Sequence, residues 1–166
     1  FIDGLPFVFY HDLKRSRFIR SESDNWHENL EIQLCTEGSG VVLINNERYT
    51  FNVDDVTVVN SNAIHYTGTD TLLTYSCLIV STDFCKQVGI DVSTLTFKPK
   101  IQSETLVSKL INLTEIYLDI QLPYRVAKLN KLLLEILIEL VDKHVTNKTE
   151  LVSDVKKFDV VKGALC

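Results

Sequence analysis

Near Pro99 the hydrophobic residues of this chain change their period, and that change constrains the fold more than any other feature. Before it, Leu30, Ile32 and Leu34 alternate with Glu31, Gln33 and Cys35, the period of a strand whose two faces meet different surroundings. Further strands are predicted over 7–10, 41–44, 48–53, 56–59, 64–66 and 71–80. Gly38 and Gly40, Asn45-Asn46, Asp54-Asp55 and the polar run 60–62 supply the turns between them. Asn45-Asn46 tolerates the positive φ of a tight hairpin. After Pro99, Leu106, Leu110, Leu113 and Tyr117 recur at helical spacing over 103–122, with Ser103 placed to cap the start. Pro123 ends that helix and opens a second over 124–145. Strands without intervening helices, followed by two helices, predict a mainly β chain: an antiparallel barrel or sandwich with a C-terminal antiparallel helix pair.

The 166 residues are 45% hydrophobic and 23% charged, enough apolar material for one domain with a core. The net charge of −5 argues against DNA binding by these residues alone, because a protein that grips phosphates needs a basic face. The densest basic cluster, Lys14, Arg15, Arg17 and Arg20, reads as a solvated loop or strand edge. No stretch has the length of a membrane span and no basic-then-apolar leader opens the chain, so a cytoplasmic protein without a membrane partner is expected. Cys35, Cys77, Cys85 and Cys166 lack C-x-x-C spacing and read as free thiols.

The second helix is apolar on two sides. Leu129, Leu133, Ile136 and Leu140 form one stripe, while Val126, Leu134, Leu137, Ile138 and Val141 form another. A helix apolar nearly all round must be covered twice, either inside its own domain or by a partner chain. The expectation is a homodimer with Leu129, Leu133, Ile136, Leu137 and Leu140 at the interface. Residues 146–154 read as a linker, and 155–166 as the start of another apolar-periodic segment. The organisation expected is therefore a barrel over 1–100, a helix pair over 101–145, and over 146–166 a linker with the start of a further domain.

The chemistry-bearing residues cluster around His27. On an extended strand over 25–33, Asn25, His27, Asn29, Glu31 and Gln33 share one side, opposite Leu30, Ile32 and Leu34. That polar face must either meet water or line a pocket. Trp26 has the opposite parity and reads as packing rather than a stacking platform.

The spacing H-x3-E-x6-G across His27, Glu31 and Gly38 resembles the first motif of the cupin family. Residues 54–65 resemble a worn second motif, with Asp54, Asn60 and Asn62 where the family carries glycine, proline and glycine, and His65 where it carries histidine. The leading histidine of the first motif falls on Asn25. Within the cupins, Trp26-His27-Glu28, Leu30-Glu31-Ile32, the turn Glu37-Gly38-Ser39-Gly40 and the stretch 60–65 resemble the sensor domain of AraC-type transcription regulators. The last six residues, from Val161 to Cys166, resemble the opening of that family's DNA-binding unit.

This resemblance implies a cupin-like jelly-roll barrel that binds a small polar metabolite, sugar-like in one version, and a helix pair that joins two subunits. DNA would be contacted only through a C-terminal domain beyond these residues. The ligand-facing positions it implies are His27, Glu31, His65, Asn25, Gln33 and Tyr75. In some members an N-terminal arm closes over the ligand; here residues 1–9 read as that arm or as a first strand. The regulator reading needs no enzyme activity and no cofactor. Two further readings stay open: a buried hydrogen-bonding cluster with a purely structural role, and a metal-dependent cupin enzyme. In the latter His27, Glu31 and His65 would form the two-histidine, one-carboxylate set of non-haem iron. No phosphate loop, nucleophile elbow or zinc spacing appears.

Overall fold

Strand β2 (Leu30–Ile44) runs for 15 residues and serves two sheets. The computed structural model describes residues 2–18 and 24–147. The other strands are β1 (Phe7–Ser16), β3 (Glu47–Asn52), β4 (Val56–Val59), β5 (His65–Gly68), β6 (Leu72–Val80) and β7 (Lys100–Ile101). The first half of β2 lies between β6 and β4 and the second half pairs with β3 and β5, all antiparallel. With β1 on β6 and β7 on β4, the strands form the cupin-like jelly roll; among the described residues their ladders do not close into a cylinder. Helices follow, as the change of period predicts: α2 (Glu104–Leu118) and α3 (Arg125–Lys143), preceded by a short α1 (Thr82–Gln87).

Local chemistry explains the turns. Asn45 and Asn46 sit at φ 49° and 68°, the left-handed pair that a two-residue hairpin needs. Gly38 has φ +74°, and a Cβ there would lie 2.1 Å from the Leu72 carbonyl oxygen, so no other residue fits where β2 passes β6. The Ser103 hydroxyl accepts from Leu106 N at 3.2 Å and caps α2.

Pleating sorts β2 into two faces. Leu30, Ile32 and Leu34 join Val56, Val58, Leu78 and Val80 on the side that meets the helices, in one core with Leu106, Leu110 and Leu113 of α2. Cys35, Val59, Tyr75 and Cys77 point the other way, into the interior with Phe51 and Leu73. The N-terminal segment belongs to the helix side: Phe7 and Phe9 are in that core with Ile2 and Leu5 packed against it, so residues 2–9 do not cover the interior.

The proposed interface residues need correction. Leu129, Leu133, Ile136, Leu137 and Leu140 are each fully buried in the chain's own core, because the sheet and α2 take up that whole side of α3. The side of α3 left open carries Val126 and Ile138, both exposed, with Leu134 half-buried between them, while Val141 packs against the core. Two helices suffice to cover one stripe because the sheet supplies the missing surface. The sequence also gave no sign of α1 or β7. Both are too short for a period to register. Cys35, Cys77 and Cys85 are buried free thiols, as read; Cys166, Arg20 and most of the linker, from 148 onward, lie outside the described residues.

One buried carboxylate ties the helices together. Glu139 on α3 accepts from Ser103 Oγ at 2.8 Å, Thr105 Oγ1 at 2.6 Å and Lys109 Nζ at 2.5 Å. Burial alone would raise its pKa, but these bonds outweigh it and hold the carboxyl at about 2. Its contribution to stability is present above the usual carboxylate range and is lost as pH falls toward 2. Glu139→Gln should cost about 1–3 kcal/mol at neutral pH and flatten the acid limb of the stability profile, measured by urea unfolding at several pH values. Leu133→Ala, in the fully packed core, should cost about 2–5 kcal/mol in the same assay at all of them.

Candidate functional site

The inward face of the sheet is not wholly apolar. Glu31 and Gln33 point in from β2, Tyr75, Cys77 and Ile79 from β6, and His65 and Thr67 from β5. Together with Asn25, Trp26 and His27 and three residues of β1 they line a cavity of about 370 Å³, within the size range of small-ligand sites. All six expected ligand-facing residues, Asn25, His27, Glu31, Gln33, His65 and Tyr75, line this one cavity.

They arrive by a different route from a single extended strand over 25–33. The chain bends at Glu28 and Asn29, and β2 begins only at Leu30. The bend is pinned from outside: Thr82 Oγ1 donates to the Glu28 carbonyl at 2.8 Å, and Thr82 N donates to Asn29 Oδ1 at 3.3 Å, which takes Asn29 off the cavity. Asn25 instead forms an isolated bridge to His65, with its N donating to His65 O at 2.8 Å and its O accepting from His65 N at 3.0 Å. That bridge carries His27 up to His65, with ring centroids 5.1 Å apart. Parity therefore does not hold across the bend, and Trp26, read as packing, lies at the cavity edge and 65% exposed.

The centre of the site is the Glu31 carboxylate. Its Oε2 lies 2.9 Å from His27 Nε2 and 3.2 Å from His65 Nε2, while Gln33 Nε2 donates to Oε1. Thr67 Oγ1 donates to Gln33 Oε1 at 2.9 Å and fixes which way the amide faces. Each imidazole is held from behind, His27 Nδ1 at 3.0 Å from the Asn29 carbonyl and His65 Nδ1 at 3.2 Å from the Ala63 carbonyl. A carbonyl only accepts, so both Nδ1 atoms carry the proton. Two Nε2 atoms then face one carboxylate oxygen, an arrangement that attracts only when protons or a cation lie between them.

Electrostatics agree with that geometry. Burial would raise the pKa of Glu31, but the bonds from His27 and His65 and the charge of His65 outweigh it and hold the carboxyl far below the usual range. Burial likewise disfavours protonated His65, yet Glu31 outweighs it and holds His65 above the ordinary histidine value. Burial pushes the Tyr75 phenol up to about 12 and the Cys77 thiol well above its usual value, so near neutral pH both are neutral groups.

The cavity also holds a residue the sequence reading placed in solvent. A β-bulge shifts the β1–β6 register between Tyr10 and Leu13, so that Tyr10 opposes Cys77 and Leu13 opposes Tyr75. Before it, odd-numbered Phe7 and Phe9 face the helices; beyond it, odd-numbered Leu13 and Arg15 face the cavity. Arg15 is thus a wall residue of the site, a correction to its reading as part of a solvated basic cluster. The bulge leaves no mark in the hydrophobic period.

Residues 10–144 match the family described as AraC-like ligand binding domain. Among solved structures, ToxT from Vibrio cholerae is similar with a TM-score of 0.55 and 12% identity, covering 84% of this chain and 58% of that one. A Cupin 2 conserved barrel domain protein from Salinispora arenicola CNS-205 gives a TM-score of 0.39 at 13% identity, over 51% of this chain and 71% of that one. DMSP lyase DddQ from Ruegeria pomeroyi DSS-3 gives 0.34 at 18% identity, over 45% of this chain and 36% of that one. No curated protein matches the chain. The likeness to ToxT shows a shared fold. Among the described residues, no helix is long and apolar enough to cross a membrane.

The coupling of Glu31 and His65 gives a signed prediction. Stabilisation through His65 is full below the ordinary histidine pKa and is lost as pH rises through the raised value. In Glu31→Gln the carboxylate's raising effect is lost, leaving burial opposed only by the Ala63 carbonyl bond and the charge of Asp24, so the His65 titration, followed by NMR of its Cε1 proton, should move down. An unmoved titration would mean that the carboxylate does not set the charge of this ring.

Proposed function

Because the chain belongs to the AraC-like ligand binding domain family, we propose that it is the sensing part of a transcription regulator, receiving a small polar metabolite in the cavity around His27, Glu31 and His65. Asn25, Gln33 and Tyr75 complete the polar wall, and the regulated output is DNA binding by a domain C-terminal to these residues. The observation that carries this reading is the double duty of β2. Glu31 and Gln33 face the cavity, while Leu30, Ile32 and Leu34 on the same strand pack on the side that buries α2 and α3. A ligand that favours one position of β2 thereby favours one seating of the helices, by no more than its difference in affinity for the two. On this reading the chain acts in the cytoplasm as a regulator rather than an enzyme.

The helix pair joins two subunits through the open side of α3, where Val126, Leu134 and Ile138 recur along the helix. This replaces the buried stripe as the contact surface.

A second reading has its own support. His27, Glu31 and His65 offer ligand atoms that all lie within 4.8 Å of one another, and the carbonyl bonds at both Nδ1 atoms leave both Nε2 atoms turned to the same point. The donor set fits a divalent transition metal, which when bound would act as a Lewis acid with open positions. The three side chains would then hold the ion, and Gln33 would orient Glu31.

A thermal-shift screen of small metabolites tests the receptor. One chemical class should raise the melting temperature by several degrees, as expected for a ligand at about 100 times its Kd, and the rise should vanish in the His27→Ala, Glu31→Ala double variant. A rise that survives those changes places the ligand elsewhere. Elemental analysis after metal-replete expression decides the second reading: near-stoichiometric metal, lost in the same variant, supports it, and its absence removes it. For the pairing, light scattering should give twice the chain mass, falling to the single mass in Ile138→Glu; a monomeric wild type defeats the interface.

A further inference from the structure

We infer that the ligand of this cavity is a monoanion, a small carboxylic acid in its charged form on a short apolar body, and that Arg15 receives its carboxylate. The inference rests on the receptor reading and adds to it the class of molecule received.

Charge is the first ground. Among the described residues lining the cavity, Glu31 is the one carboxylate, and its oxygens are committed to His27, His65 and Gln33. It therefore has no share in Arg15, and no ion pair to Arg15 occurs among the described residues. The cavity wall thus carries one guanidinium charge that no described residue on the wall balances.

Geometry is the second. Arg15 is half-buried, with its Nη1 donating to the Lys14 carbonyl at 3.1 Å and its guanidinium 5.7 Å from the centroid of the Tyr75 ring. Its Nε is buried and, among the described residues, has no hydrogen-bond partner. A buried charged donor left unpaired is unfavourable and uncommon, and an oxyanion that pairs side-on with guanidinium answers it in two bonds. The β-bulge at Tyr10 to Leu13 is what turns this cation inward rather than into water.

The rest of the wall describes the rest of the molecule. Leu13, Ile79 and the Tyr75 ring give an apolar surface beside the guanidinium, and about 370 Å³ limits the body to a small one. A single guanidinium matches a single negative charge, which favours a carboxylate over a phosphate dianion.

The test titrates the full chain calorimetrically with benzoate, cyclohexanecarboxylate and hexanoate, each beside its uncharged amide, and with glucose as a neutral polyol. The methyl resonances of Leu13 and Ile79 report entry into the cavity. The acids should bind, the amides and glucose at least roughly 10-fold more weakly, and Arg15→Gln should weaken the acids by roughly 10- to 100-fold while Arg15→Lys keeps part of the affinity. An amide or glucose that shifts those methyls as tightly as the acids do, or acids that bind Arg15→Gln unchanged, overturns the anion assignment while leaving the receptor standing. If no compound moves Leu13 and Ile79 in the wild type, the anion assignment fails, and the thermal-shift screen decides the receptor reading separately. The acid-to-amide comparison needs no variant, so misfolding of Arg15→Gln would not blunt it.

Discussion

The pleat of β2 is the constraint on which the molecule turns. A strand must send successive side chains to opposite faces, and here one face meets a helical core and the other a polar cavity. Leu30, Ile32 and Leu34 are almost fully buried, each contributing on the order of 1.5–3 kcal/mol, and a slip of one residue would drive Glu31 and Gln33 into that core. Apolar burial therefore sets the register, and the register delivers the carboxylate to the cavity. Neither sheet could be shifted without disturbing both faces, because β2 belongs to both.

Two buried carboxylates show how differently the same group can be used. Glu139 is satisfied by two hydroxyls and a lysine, and holds the start of α2 against α3. Glu31 is satisfied by two imidazoles, at the wall of a cavity rather than between helices. The first arrangement is a fixed clamp. The second turns two ring nitrogens and a carboxylate toward one point on a cavity wall, where a ligand can reach them. Both lie along one continuous route, since the core between the sheet and α3 begins on the back of the strand that carries Glu31.

Local signals in the sequence were sound wherever the physics is local. Asn45-Asn46 named a turn because few other pairs tolerate φ > 0 twice, and Ser103 named a helix start because its hydroxyl can accept from Leu106 N; Gly38 and Gly40, read as a turn, lie instead inside β2, where Gly38 allows the tight passage beside β6. The six ligand-facing candidates were reached through the motif spacing of His27, Glu31 and His65 and the alternation from Glu31 onward. The parity argument was unsound between Asn25 and Asn29, because Thr82, distant in sequence, bends the chain there. That is why Trp26 was read as packing and Asn29 as sharing a side with Glu31.

What the sequence determined alone was periodicity: a β chain that turns helical at Pro99, strands with one greasy and one polar face, and a final helix apolar on two sides. Those follow from which residue stands how far from which, and need no knowledge of the neighbours. Which of α3's stripes the chain itself would cover, and that Arg15 would face inward, were decided only in three dimensions. Cover depends on the area the sheet presents to the helix, and the direction of Arg15 on one extra residue in the pairing of β1 with β6. Both are properties of surfaces meeting, which no single segment contains.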